Sequence, residues 1–451
     1  MKIIIVGCGK VGKTVAQSLV AEKHDIVLID RNKKVLDDIT NELDVLGYCG
    51  DGSSYDLLNE AGVKDADLLL AITDSDELNL ICCLFAKKIG NVKTIARIRN
   101  PIFFKDAHYI RDELGLELII NPEVLAANEI SAILRFPGAL MVDTFAKGRL
   151  DLISFTVKDD STIVNKKVMD ISRSYDFGLI IAGIVRNDEA IIPHGNTVLM
   201  SGDVVSLVVR SEDANNFFTQ AGIETGKVKS AMIIGGSNIA YYLAKKLISS
   251  GISVSIVEMS EKRCNELCEL LPEANIILGD GTNEELLREE GINTTEAVVS
   301  LSGIDEENVL LSLYTTQFTN AKVVTKLDHI GYDDMLEKLD IGSIISPKKI
   351  TSEKIIRFVR ALDNSSDNEI ETLYKILNGK AEALSFRIKE ESDVTNKPLV
   401  DLKFIDNLLI GAIIRNGTII TPSGKDEIKV GDSVVVITTN IGLNDISDIL
   451  A

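Results

Sequence analysis

The sequence predicts an α/β fold built from two Rossmann-like nucleotide-binding domains, each followed by a small α+β domain, so that one plan is given twice. Three observations carry this prediction. The chain opens on an apolar run that ends in Gly7, Gly9 and Gly12, and the acid Asp30 closes the next apolar run. Up to about residue 120, short apolar runs alternate with amphipathic helical stretches, which is the signature of a parallel sheet. The landmarks then return at nearly one spacing: Gly7 and Gly235 lie 228 residues apart (235 − 7), and so do Asp30 and Glu258 (258 − 30).

Taken in order, Ile3 to Val6 reads as a buried central strand, because a parallel strand covered on both faces need not alternate. The loop Gly7-Cys8-Gly9-Lys10-Val11-Gly12 reads as the turn into a helix. Gly7 allows the tight turn, Gly9 allows backbone to approach a phosphate, and Gly12 lets the helix pack on the sheet. The helix N-terminus offers N–H groups and a positive dipole end to an anion. Asp30, at the end of the strand Ile26–Asp30, suits a ribose diol and disfavours a 2′-phosphate, which selects NAD(H) or an adenine nucleotide over NADP. A Rossmann-like domain that has lost its ligand is the alternative.

A helix from Lys33 to Leu43, a strand ending at Cys49, the turn Gly50-Asp51-Gly52 and a helix over Tyr55 to Ala61 follow. The strand Ala66–Thr73 places Thr73 and Asp74 at a C-terminal strand end, where doubly wound sheets put ligand groups. Asp76, Glu77 and Asn79 open the next helix, and Arg97 stands near the end of the strand Thr94–Ile98. The acids suit the helix dipole; a divalent cation is the alternative for Asp74, Asp76 and Glu77. Asn121-Pro122-Glu123 starts a linking helix that Pro137-Gly138 ends. Short strands then take over: Ile153–Val157, Leu179–Arg186 and Val204–Val209.

The second pass begins with Gly235-Gly236-Ser237-Asn238-Ile239-Ala240 and the ribose-type acid Glu258. Gly279-Asp280-Gly281, Ser302-Gly303, Lys326 and Ser346-Pro347 echo Gly50 to Gly52, Thr73-Asp74, Arg97 and the first linking helix. Gly431-Asp432 repeats Gly202-Asp203. So many landmarks in register make duplication the best account. The copies differ: Ser237 replaces Gly9 and puts a Cβ where backbone should meet phosphate, so the second site is expected to be weaker, altered or empty.

Bulk properties narrow the function. The formal net charge of −20 excludes nucleic acid and anionic membrane surfaces as primary partners. No stretch approaches the ~18 continuous apolar residues of a membrane span. The opening residues run straight into a strand with no secretory signal, which predicts a cytoplasmic protein. The six cysteines form no C-x-x-C pair and the four histidines are scattered, so no zinc-type ligand set is legible. Cys8 lies inside the glycine loop, where oxidation sensing and a small residue tolerated in a turn are the two readings.

With these residues in view, the chain resembles the TrkA-type regulatory subunits of Trk potassium-uptake systems. The resemblance rests on GCGKVG with Asp30, CGDGSS, AITDSDELN, ARIRNP and INPE, then GGSNIA with Glu258, LGDGT and LSGIDEEN, and on IIPHGNTVLMSGD and IITPSGKDEIKVGD. It implies RCK (KTN) N-domains at 1–120 and 228–344, linking helices at 121–139 and 345–365, and RCK C-domains at 140–221 and 370–451. It further implies a cytoplasmic homo-oligomeric gating ring, usually tetrameric, that binds NAD(H), ATP or ADP and controls a separate potassium-conducting membrane subunit. The implied ligand residues are Gly7, Cys8, Gly9, Lys10, Val11, Gly12, Asp30, Asp51, Thr73, Asp74 and Arg97. Those of the second copy are Gly235, Gly236, Ser237, Asn238, Ile239 and Glu258.

Two rival functions remain. An NAD-dependent oxidoreductase needs a general acid or base beside the nicotinamide, and His24, His108, His194 and His329 sit in no motif. A scaffold with vestigial nucleotide sites needs no ligand at all.

Overall fold

The computed structural model describes residues 1–451 except 137, 147, 224–227, 329–338, 340, 364–367 and 378. The first nucleotide fold runs β1 (Lys2–Val6), α1 (Lys10–Ala21), β2 (Asp25–Asp30), α2 (Lys33–Glu42), β3 (Leu46–Cys49), α3 (Tyr55–Glu60) and β4 (Leu68–Ala71). It continues with α4 (Asp76–Gly90), β5 (Lys93–Arg97), α5 (Pro101–Lys105), α6 (Ala107–Leu114) and β6 (Leu118–Ile120). Its sheet has the order β3-β2-β1-β4-β5-β6, every pair parallel. Ile3, Ile4 and Ile5 are fully buried because β1 is central and covered on both faces. Side chains cap the flanking helices: Asn32 accepts from Lys34 and Val35 on α2, Ser54 from Leu57 on α3, and Ser75 from Leu78 on α4.

The first linking helix is α7 (Pro122–Arg135), and the end expected at Pro137 lies outside the described residues. The first small domain holds β7 (Met141–Phe145), β8 (Leu150–Thr156), α8 (Val168–Ser174), β9 (Leu179–Arg186), β10 (Glu189–Ile191), β11 (Val204–Arg210) and α9 (Ala214–Ala221). Its sheet is antiparallel in the order β10-β9-β11-β8-β7. Phe155, Phe217 and Phe218 fill its core.

The second pass repeats this with β12 (Ser230–Ile234), α10 (Asn238–Ser249), β13 (Ser253–Glu258), α11 (Glu261–Leu270), β14 (Asn275–Leu278), α12 (Glu284–Glu289) and β15 (Ala297–Ser300). Then come α13 (Asp305–Phe318), β16 (Lys322–Lys326), β17 (Ser343–Ile345) and the second linking helix α14 (Pro347–Asp363). The parallel order β14-β13-β12-β15-β16-β17 matches the first sheet strand for strand. The last module comprises β18 (Asn368–Ile376), β19 (Ala381–Ile388), β20 (Leu408–Arg415), β21 (Thr418–Ile420) and β22 (Ser433–Thr438), in the antiparallel order β18-β19-β22-β20-β21.

The chain divides into two compact units, Met1–Ala126 with Ser346–Phe358, and Ala127–Ile345 with Val359–Ala451. The front of α14 therefore belongs with the first nucleotide fold, although it follows the second in sequence. Within the second unit, the tail of α7 meets α10, where Lys246 Nζ donates to Asn128 Oδ1 at 2.8 Å. The two small domains, also in that unit, share an apolar core that includes Phe145, Leu152, Val208, Leu377, Ala383 and Ile437. Phe145 meets Tyr374 edge to face at 4.9 Å, and Tyr374 donates its hydroxyl to Thr144 O at 2.6 Å.

Among the described residues, no helix is long and apolar enough to cross a membrane.

Candidate functional site

In the first sheet the strand order reverses between β1 and β4, which opens a crevice beyond the C-terminal strand ends. The sequence-predicted residues of the first copy gather there. Gly7 has φ +101°, and a Cβ on it would lie 2.7 Å from the Thr73 nitrogen, so both turn geometry and the end of β4 demand glycine. A Cβ on Gly12 would lie 2.0 Å from Gly7 O, which makes Gly12 the residue that lets α1 close on its own loop. Gly9 is different: a Cβ there would meet nothing within 4 Å. Gly9 is the N-cap of α1, and no side chain caps that helix. The first-turn N–H groups, which include those of Lys10, Val11 and Gly12, thus carry no side-chain cap and have a positive dipole end behind them.

Asp30 is fixed beside this loop. Its Oδ2 accepts from Cys8 N at 2.6 Å and its Oδ1 from Asn32 N at 2.7 Å. Each carboxylate oxygen keeps a second lone pair, which suits a ribose diol. Burial and then the Asp30 carboxylate push the Cys8 thiol up to about 12, so Cys8 stays a protonated packing residue in the turn. That favours the small-residue reading over oxidation sensing.

The opposite side of the crevice is built by β4, α4 and β5. Asn79 on α4 accepts from Thr73 N at 2.8 Å and donates to both Thr73 O and Arg97 O, so it ties two strand ends to one helix. Arg97 is 7% exposed and donates to Thr73 O at 2.6 Å and Asp74 Oδ1 at 2.8 Å. Its buried Nε has no partner, an orphaned donor next to the crevice. Asp51, past β3, pairs with Arg31 at 2.7 Å and accepts from Ser53. The Ser53 hydrogen bonds, helped by Arg31, hold its carboxyl below the usual range.

The acid cluster has other partners. Asp76 accepts from the backbone of Arg99 and Asn100, Asp74 pairs with Arg97, and Glu77 accepts from Ser75. No group of three or more metal-type ligands occurs among the described residues. Of the histidines, His24 lies near the N-terminal amine, His108 pairs with Asp112, the backbone of His194 bonds Thr197, and His329 lies outside the described residues. Sequence reasoning passed over Arg31 and saw Asn79 only as an opener of α4. The signal for Asn79 was its repetition as Asn308, which ties Ser302 to Lys326 in the same way.

The second copy keeps the frame. Gly235 has φ +102°, and Glu258 accepts from Gly236 N and Ser260 N, each at 2.7 Å. Ser237, however, caps α10 with its own hydroxyl, which accepts from Ala240 N at 3.4 Å. Asn238 and Ile239 open that helix. Lys326 donates to Ser302 O at 3.0 Å and pairs with Asp328 at 2.9 Å.

Fold and loop together define a class: a protein made of two tandem RCK-type repeats, each a nucleotide fold with an antiparallel partner domain. Comparison with known proteins agrees. The TrkA-N domain family matches residues 3–122 and 231–347, and the TrkA-C domain family matches 152–222 and 383–451. Trk system potassium uptake protein TrkA homolog 1 of Methanosarcina mazei is 32% identical over 97% of this chain and 97% of its own length. TrkA of Haemophilus influenzae is 29% identical over 97% and 95%. Among solved structures, the GsuK RCK domain superposes with a TM-score of 0.65 at 17% identity, covering 97% of this chain and 92% of that one. The GsuK channel bound to NAD gives 0.64 at 17%, covering 97% and 77%, a likeness of fold. The chain belongs to the TrkA family, as a regulatory subunit with tandem RCK domains.

Proposed function

We propose that this chain is the cytoplasmic, nucleotide-sensing subunit of a Trk-type potassium uptake system. It binds NAD(H), with ATP and ADP competing for the same crevice. Bound as a homo-oligomer, expected to be a tetrameric ring, it controls a potassium-translocating membrane subunit of the Trk type from the inner face of the cell membrane. The observation that carries this reading is the first loop, where Gly9 stands before open space at the uncapped start of α1 beside the pinned Asp30.

In this reading phosphates dock on the first-turn N–H groups of α1 and the ribose on Asp30. Arg97, with its unpartnered Nε, supplies positive charge on the β4–β5 side. Ligands that contact the two sides of the crevice differently shift its closure, and a ligand with equal affinity for both closures shifts nothing. The linking helices pass the shift on. The relatives, named for potassium uptake, support the output of this switch.

Titration of the purified chain with NADH, ATP and ADP by equilibrium dialysis tests the input. Binding of at least one is expected, and loss of that binding in Asp30→Ala. No binding of any of the three overturns the reading in favour of a scaffold.

A further inference from the structure

The two glycine loops share a backbone but not what surrounds it. Around Gly9 the space is open, whereas at Ser237 a Cβ and a hydroxyl stand over the helix start and the hydroxyl takes up the Ala240 N–H. A second side chain holds the loop from outside. Arg263 on α11 donates from Nε to Gly236 O at 2.7 Å and from a terminal nitrogen to Asn238 Oδ1 at 3.2 Å. Its other terminal nitrogen pairs with Glu266 at 3.0 Å. The guanidinium therefore grips the residues on both sides of Ser237. The matching residue in the first half is Val35 (263 − 228), which can make none of these bonds.

We propose that the second loop is closed by its own side chains, with Arg263 as the latch and Ser237 as the plug, a proposal that rests on the first loop being a phosphate cradle. The phosphate half of the second crevice then takes no nucleotide while the latch holds. The cation does not make the loop an anion site: its donors are directed at a carbonyl and a carboxamide of the loop, and its charge is paired with Glu266. The ribose half keeps its carboxylate, because Glu258 is pinned by two backbone N–H groups as Asp30 is. The latch and the plug therefore act on the residues that receive phosphate. Arg263 is a positioning residue, acting through Gly236 and Asn238.

Counting bound nucleotide on the full chain tests this. Equilibrium dialysis against NADH, ATP and ADP would compare wild type, Ser237→Gly, Arg263→Val and the double variant. Wild type is expected to bind one nucleotide per chain and the double variant two, the added one insensitive to Gly9→Ala. Arg263→Lys keeps the charge without the planar fork and is expected to bind a second nucleotide weakly, which guards against a double variant that fails to fold. Two nucleotides on wild type, with the second surviving Gly9→Ala, overturn the latch. So does a folded double variant that binds no more than wild type. Binding to the double variant alone upholds the latch and sinks the first-loop reading.

Discussion

Three glycines within six residues do three separate jobs, and substitution separates them. Gly7 needs its positive φ and its contact with Thr73, so Gly7→Ala should cost about 1–3 kcal/mol of stability, read as a lower urea midpoint. Gly9 has φ −63° and open surroundings. Gly9→Ala should leave stability within about 1 kcal/mol, since the entropic gain from alanine offsets its poorer N-cap propensity. Nucleotide affinity should fall at least tenfold, about 1.4 kcal/mol, because the new methyl stands where phosphate docks. If Gly9→Ala binds nucleotide normally, the first loop is not the cradle. Thiol chemistry at this scale is equally specific. Cys8 and Cys82 are buried, and burial first, then a nearby aspartate, pushes each up to about 12. Iodoacetamide at pH 8 should modify the exposed Cys49 and Cys268 first, with Cys8 and Cys82 protected until unfolding, as peptide mass mapping would show.

At the scale of elements, one staple explains a repeated landmark. Arg186, at the end of β9, makes a two-pronged pair with Asp203 at 2.8 and 2.7 Å and donates to Val198 O. Asp203 also accepts from Met200 N and is 1% exposed. Arg415 and Asp432 repeat the pair at 2.8 and 2.7 Å, before β22. Sequence spacing marked Gly202-Asp203 and Gly431-Asp432 as repeated landmarks; their carboxylates lock the segment before the last long strand to the neighbouring hairpin. Asp203→Ala should cost about 2–4 kcal/mol, because a half-buried guanidinium loses its partner. Differential scanning calorimetry should show the same loss for Asp432→Ala. Not every element was legible. Pro101–Lys105 and Ala107–Leu114 form helices that the periodicity hid, since Ile102 and Tyr109 are 73% and 67% exposed and blur the apolar stripe. The signal present was the cap, Asn100 before Pro101, whose side chain accepts from Ile102 N. Met141–Phe145 was missed because a five-residue edge strand carries too few alternations to read.

For the molecule as a whole, the repeat is a packing arrangement as well as a record of duplication. The two small domains bury one another's apolar faces around Phe145, Tyr374 and Leu377. A Cβ on Gly183 would lie 2.6 Å from the end of the Leu377 side chain, so any larger residue at this point of β9 would make Leu377 of the other domain shift. Phe145→Ala should cost about 3–5 kcal/mol and lower the urea midpoint of the whole chain. A fall confined to the first small domain would show that the pair does not unfold as one. The sequence by itself determined the parallel-sheet nucleotide folds, the small α+β domains, their duplication, the glycine loop and the acid that closes the next strand. These follow from short-range periodicity and from spacing, which the chain writes along its length. Only tertiary structure decided that the front of α14 belongs with the first nucleotide fold, that Asn79 braces Thr73 and Arg97, and that Arg263 grips the second loop. Each joins residues brought together by the return of the chain, and no local pattern specifies which distant partner a helix face or a guanidinium will meet.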